Sequence, residues 1–394
     1  MTPSGLRSLL LVIVLAAAPF PLRSATTTPL PPASLSTAAR YEDFKARFIT
    51  PRGRVVDTGN DYISHSEGQG YGMLFATAFN DRATFELLWK WTREQLQIRD
   101  TDKLLAWRWV PTPYGGFVDD KNNATDGDLL VAWALHCADR RWQVPAFRAA
   151  SRALLDDMER YLVASQPLPL PARSSRLALL PGRAGFVSAE GITLNLSYYV
   201  WPALADFAAA DTRPAGQSPW RQLIEDGLTL LSLSRFGPRS LPANWILLDT
   251  GPAPRPAPGH PAAFGYDAVR IPLYLAWYQP RHPALAPVVG YWSTPDWRRH
   301  PVNEIALDHA SPPPGATTGA APSAPDAHPA SPGLIALVNA TGRLRLGRTW
   351  DPVTLPATAV EDDYYSACLD LLSRLALAAN TARRLTPAEL YDTP

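Results

Sequence analysis

Apolar residues in this chain return at intervals of three and four, and that spacing restricts the fold more than any other feature. Phe85, Leu88, Trp89 and Thr92 share one face of a helix, as do Leu130, Ala134, Leu135 and Ala138, and later Tyr365, Leu369, Leu372 and Leu375. Such spacing marks amphipathic helices. The pattern predicts helices over 38–48, 81–96, 126–140, 145–163, 219–234 and 363–379. Two further helices, over 194–210 and 266–278, are predicted around Pro202 and Pro272, the first of them broken by its proline. Strand signals are scarce, with one short extended piece at 54–57, and the reading is all-α with roughly eleven or twelve helices. A solenoid and a closed barrel of helical hairpins fit the periodicity equally well.

The remaining composition bounds the function classes. The chain has 394 residues and a net charge of +1, so it carries no electrostatic footprint for nucleic acid. It holds 13 Trp and 14 Tyr, which can build a large core or line a sugar-binding cleft, and abundance alone favours the core. Arg7 precedes the apolar run 9–18, which is too short to span a bilayer comfortably and reads as an export signal over 1–25. That predicts a periplasmic or secreted protein with no stable membrane insertion once the signal is removed. A Thr/Pro/Ser/Ala linker over 26–40 and a body over 41–394 follow, the latter interrupted by a low-complexity loop at 311–333. Export permits a disulfide between Cys137 and Cys368, and two buried free thiols fit equally. The seven His residues form no ligand-spaced cluster, so no metal is expected.

Three stretches carry carboxylates where chemistry could use them. In Ser66-Glu67-Gly68-Gln69-Gly70-Tyr71-Gly72-Met73, Ser66 is a plausible N-cap and Glu67 lies at the mouth of a helix among three glycines. Glycines weaken a helix, so the stretch predicts open space beside Glu67; a tight helix start with a solvated Glu fits as well. In Asn122-Asn123-Ala124-Thr125-Asp126-Gly127-Asp128, Thr125 or Asp126 can cap a helix, which by itself explains the acidic residues. In Gly265-Tyr266-Asp267-Ala268-Val269-Arg270, the spacing favours a helical ion pair between Asp267 and Arg270 over an activated carboxylate.

Taken together and in order, these stretches resemble the motifs of glycoside hydrolase family 8. Ser66–Met73 is similar to the acid-bearing motif of that family. Ala124–Asp128, with Ala132, Ala134, Leu135, Ala138 and Trp142, resembles its long signature, from which Val131 and His136 depart. Gly265–Arg270 resembles the base motif, and Leu194-Asn195-Leu196-Ser197-Tyr198 its Asn-Pro-Ser-Tyr segment with Leu196 in place of Pro. The C-terminal third matches loosely, through Tyr364-Tyr365 and the last helix. The resemblance implies an (α/α)6 barrel with an open substrate cleft, and inverting hydrolysis of β-1,4-glucan, xylan, chitosan or mixed-linkage glucan.

It further implies that Glu67 is the general acid, Asp267 the base and Asp126 a catalytic-site residue holding the sugar at the cleavage point, with Asp128 structural. Trp107, Trp109, Asn195, Tyr198, Tyr266, Arg270 and Tyr365 become substrate-binding candidates, and no metal or organic cofactor is implied. A helix N-terminus would lower the pKa of Glu67, whereas an acid needs it raised, so desolvation and Asp126 have to prevail. Within the family the build is similar to exported endo-β-1,4-glucanases that accompany bacterial cellulose synthase, which makes its export machinery a candidate partner. The alternatives are a chitosanase or xylanase of the same family, or a non-catalytic glucan-binding subunit of an export complex.

Overall fold

A computed structural model describes residues 36–166, 176–214, 217–307, 328–354 and 362–382. Twelve α-helices occur among them: α1 (Thr37–Phe48), α2 (Ser66–Ala78), α3 (Arg82–Gln95), α4 (Thr125–Trp142), α5 (Pro145–Leu162), α6 (Trp201–Ala210), α7 (Pro219–Leu233), α8 (Arg270–Tyr278), α9 (Leu285–Trp292), α10 (Pro295–Arg299), α11 (Pro332–Leu346) and α12 (Tyr364–Ala382). Packing closes a ring: α2 lies on α4, α4 on α6, α6 on α8, α8 on α11, α11 on α12, and α12 returns to α2. The other helices back this ring from outside, α3 on α2, α5 on α4, α7 on α6 and α9 on α8 and α11. The chain is an all-α (α/α)6 barrel.

Sequence and position agree. Inner helices are enclosed on all sides, and every residue of α2 except Glu67 and Ala78 is buried. Outer helices bury one stripe: in α5 it is Phe147, Ser151, Leu154, Met158 and Leu162. Small residues bring the inner helices together. A Cβ on Gly70 would lie 2.6 Å from Leu130 Cβ, and one on Gly127 would lie 2.0 Å from Ser66 Oγ and 2.7 Å from the Glu67 amide nitrogen. The α2 glycines are therefore contact points with neighbouring helices, so interhelical approach and not room for a ligand accounts for them.

Several local expectations shift. His65, not Ser66, caps α2, its ring accepting from the Gly68 amide. The cap position of α4 is Ala124, so neither Thr125 nor Asp126 caps it. Pro202 stands in the first turn of α6 and starts that helix instead of breaking it. Helix α8 begins at Arg270, leaving Asp267 in the turn before it. The region through Trp107, Trp109 and Tyr114 is a hairpin of β2 (Arg108–Thr112) and β3 (Gly115–Asp120), to which β1 (Ser64–His65) adds on the β2 side.

Other short pairings occupy further connections, such as Val163–Ser165 with Leu177–Leu179 and Ala263–Phe264 with Ile305–Ala306. Strands of two to four residues are too short to display alternation, which is why the sequence conceals them. The expected signal over 1–25 lies outside the described residues, as do 308–327 of the expected low-complexity excursion; 328–331 pair with the body and Pro332 opens α11. Of the expected linker, Thr37 to Arg40 belong to α1. Cys137 and Cys368 are both free. Among the described residues no helix is long and apolar enough to cross a membrane.

The inner-ring contact predicts two alanine substitutions of opposite sign. Gly127→Ala forces a methyl onto Ser66 and the Glu67 backbone and should cost about 1–3 kcal/mol or more. Gly290→Ala in α9 meets nothing within 4 Å and should stabilise by roughly 0.4–1 kcal/mol. Urea unfolding of both variants checks this, and a neutral Gly127→Ala would refute the close approach.

Candidate active site

The inner helices begin at one end of the ring, and the segments leading into them carry the polar residues. Glu67 is in the first turn of α2 and Asp126 in the first turn of α4. Asn195 caps the short 3-10 turn Leu196–Ser197–Tyr198 that leads to α6, and Asp267 sits in the turn before α8. Tyr364 and Tyr365 open α12. Chain positions 200 residues apart thus meet through helix starts.

Arg270 joins them. Its guanidinium is buried, with Nη1 against Glu67 Oε1 and 3.7 Å from Asp126 Oδ2, while Nη2 donates to Asp267 Oδ1 at 2.8 Å. The same nitrogens donate to Tyr71 Oη and Ser197 Oγ, each at 3.2 Å. Tyr71 also donates to Glu67 Oε1 at 3.0 Å and meets Tyr274 Oη at 3.0 Å. The exposed helical ion pair favoured by spacing is instead one edge of a buried network, because α8 turns its first residue into the ring.

Burial dominates the acidities. The Asp126 carboxyl is pushed up to about 6 by burial, against a 2.8 Å hydrogen bond from the Gly127 amide. Asp267 is pushed up to about 7, first by burial and then by the negative Asp126, while the polar groups of Asn195 and Trp245 oppose the rise. Asp128 is also pushed up to about 7 by burial, but its partners are the Leu105 amide and Asn123 Nδ2, both at 2.7 Å. Those bonds tie α4 to the preceding loop.

Beside Glu67, His65 Nδ1 accepts from the Gly68 amide at 3.1 Å and lies 3.9 Å from Glu67 Oε2. Its Nε2 is 3.2 Å from Asp57 Oδ2. An imidazole nitrogen that accepts from an amide carries no proton, so the ring proton is on Nε2 and points to Asp57.

The expected substrate-binding residues divide. Arg270, Asn195 and Tyr198 cluster with the carboxyls: Asn195 Oδ1 accepts from Ser197 Oγ at 2.7 Å, and the Tyr198 hydroxyl is held well above its usual range by burial and then by Asp126 and Asp267. Tyr266 is 46% exposed, its ring centroid is 6.2 Å from that of Tyr365, and its carbonyl accepts from the Tyr365 hydroxyl. Trp107 is half-buried and donates to Asp120 Oδ2 at 2.8 Å.

Trp109 does not join them. Its ring is buried between Trp91 and the Arg54 guanidinium, with Gly116 against one face, so it is core and offers no surface for stacking. Alternation along β2 sends Trp109 inward. Trp245 went unnoticed in the sequence, since no motif surrounds it; its ring lies between Phe186 and His260 at centroid distances of 6.0 and 4.7 Å. Asp57 and His65 were missed too, although His65 directly precedes the acidic motif.

Fold and site define a carboxylate-bearing hydrolase of the α/α-barrel class. The profile of Glycosyl hydrolases family 8 matches residues 21–377, and the chain belongs to that family. It is 39% identical over 359 residues to a "Probable endoglucanase" of Novacetimonas hansenii, covering 89% of this chain and 94% of the relative. An "Endoglucanase" of Cellulomonas uda is 38% identical over 272 residues, 68% of this chain and 72% of that one. Among solved structures, the endo-beta-1,4-glucanase CMCax from Acetobacter xylinum superposes with a TM-score of 0.72 at 37% identity, covering 88% of this chain and 98% of that one.

The shared guanidinium makes a pH-resolved prediction. Carboxyls whose folded pKa exceeds the unfolded value add stability at low pH and lose it as pH rises from about 4 through 6 to 7. Removing the cation raises those values further. Arg270→Met should therefore lose about 3–5 kcal/mol, and more at pH 8 than at pH 5. Urea midpoints at the two pH values test it, and an equal loss at both would contradict the charge role.

Proposed function

We propose that this chain is an inverting endo-1,4-β-glucanase in which Glu67 is the general acid, Asp267 the general base and Asp126 the residue holding the sugar at the cleavage point. The observation that carries the reading is the single Arg270 guanidinium in contact with all three carboxyl groups. One buried cation offsets only part of three negative charges, so burial favours retention of a proton among them. Glu67 then gives a proton to the glycosidic oxygen as the C–O bond breaks. Asp267 takes a proton from the water whose oxygen bonds to the anomeric carbon from the opposite face. A β-linked polymer yields an α-anomer. Asn195 and Trp245 lie beside Asp267 and favour its charged form; Tyr198, Tyr266 and Tyr365 supply rings and hydroxyls for neighbouring sugars.

The relatives matching most of this chain at 37–39% identity carry endoglucanase names, which supports glucan over xylan or chitosan as the substrate. The assembled carboxyls argue against a purely glucan-binding subunit, which needs none of them. Export to the periplasm or beyond, and work beside a cellulose synthase export machinery, extend this reading; their support is the charged and apolar N-terminus and the family resemblance.

Glu67→Gln should keep the fold and glucan binding while turnover on carboxymethylcellulose falls roughly 10²–10⁴-fold. Proton NMR of the first products should show α-anomers, and early β-anomers would overturn the roles of Asp267 and Glu67 together. Because Asp267 must be charged to act, and burial holds its carboxyl up to about 7, kcat/KM should decline below neutrality, well above the ordinary carboxylate range. The pH profile of Asp267→Asn would lack activity at every pH.

A further inference from the structure

Among the described residues, large apolar side chains left in water are few, and three of them lie at one small sheet. Tyr62, just before β1, is 61% exposed; Tyr114, at the tip of the β2–β3 hairpin, is 100% exposed; Phe117, on β3, is 53% exposed. Their exposure is not a failure of packing, because the inner face of the sheet is already filled. Ser64 and Trp109 are cross-strand partners on that face and are buried, and a Cβ on Gly116 would lie 2.1 Å from the Trp109 ring.

The outer face has a direction. His65 is paired with Arg108 and Val110 with Phe117, and the two-residue step along β2 keeps Arg108 and Val110 on the side opposite Trp109 although β3 carries one extra residue between these pairs. At one end His65 lies 3.9 Å from the Glu67 carboxyl. Next, the Arg108 guanidinium covers the Trp107 ring at 4.7 Å and its Nε donates to Asp119 Oδ1 at 3.0 Å. Phe117 and then Tyr114 follow towards the hairpin tip. From Arg108 to Thr112 the strand runs ~13 Å, room for sugar units outside the cleavage point.

Resting on the β-glucan hydrolase reading, we propose that this outer face of β1–β2–β3 binds the part of a β-1,4-glucan chain that continues past Glu67. Phe117 and Tyr114 lie under the apolar faces of pyranose rings, and the Arg108–Asp119 pair meets their equatorial hydroxyls. An exposed aromatic ring beside a neutral, hydrogen-bonding ion pair matches an uncharged sugar, apolar on its faces and polar at its rim. Continuity with the carboxyl cluster through His65 identifies the occupant as the substrate chain itself.

The test is a Tyr114→Ala/Phe117→Ala double variant, checked for an unchanged thermal unfolding midpoint. Tyr114→Ala alone, altering a fully exposed side chain, is the fallback should the double variant unfold. Loss of stacking should reduce kcat/KM on long hydroxyethylcellulose about three- to tenfold, through KM, and leave kcat/KM on cellotetraose within about twofold. In the Glu67→Gln background, the same changes should reduce retardation in a native gel containing hydroxyethylcellulose. Equal effects on polymer and tetramer, or unaltered retardation, would overturn the proposal. A wild type inert on every β-glucan yet retarded through Phe117 would instead remove the hydrolase reading and leave the sheet as a glucan surface.

Discussion

The contact on which the site depends is the crossing of α2 and α4 at their first turns. Gly127 lies against Ser66 and the Glu67 backbone so closely that no side chain fits between them. Gly70 repeats the contact one turn deeper, against Leu130 and Val131. Each glycine reduces helix propensity by about 1 kcal/mol, and backbone approach offsets that cost by packing two inner helices side by side. Glu67 and Asp126 reach the same few ångströms of space as a direct result.

Such proximity would repel if nothing neutralised it. Arg270 comes from the opposite side of the ring, on α8, and places one guanidinium among three carboxyl groups, two tyrosine hydroxyls and Ser197. A planar guanidinium with fixed donor directions can do this, where a lysine ammonium would present one compact charge. Burial pushes Asp126 and Asp267 up, while the Arg270 guanidinium, within ion-pair distance of both, opposes the loss of their charge. Helix geometry thus supplies position and Arg270 supplies electrostatics, and neither suffices for a hydrolase alone.

The connections into the inner helices make a second layer of the site. His65 belongs at once to β1 and to the cap of α2, so a two-residue strand fixes the ring that faces Glu67. Its tautomer is set by Asp57 on one nitrogen and the Gly68 amide on the other. Trp245, whose proximity favours the charged form of Asp267, is itself held between Phe186 and His260. The connections thus hold the side chains that surround the carboxyls, while the starts of the ring helices and the turn before α8 carry the carboxyls themselves.

The helices were legible in the sequence because their burial is periodic: a stripe such as Phe147, Leu154, Met158 and Leu162 can satisfy only one face of one helix. The three carboxylates were legible as well, through motifs at helix starts that resemble a known family. What periodicity could not decide was closure of the helices into a ring, since it describes each helix about its own axis and says nothing of its neighbours. Spacing likewise read Asp267 and Arg270 as a surface pair, because the partners that meet Arg270 inside the ring, Glu67 and Asp126, lie more than a hundred residues away. Trp109 looked like a cleft aromatic until strand alternation turned it inward, and Trp245 carried no signal until Phe186 and His260 were brought against it. Local pattern determined which residues form helices and which acids begin them. Only tertiary packing decided which of those acids share a cation, because electrostatic contact depends on distance in space and the sequence records distance along the chain.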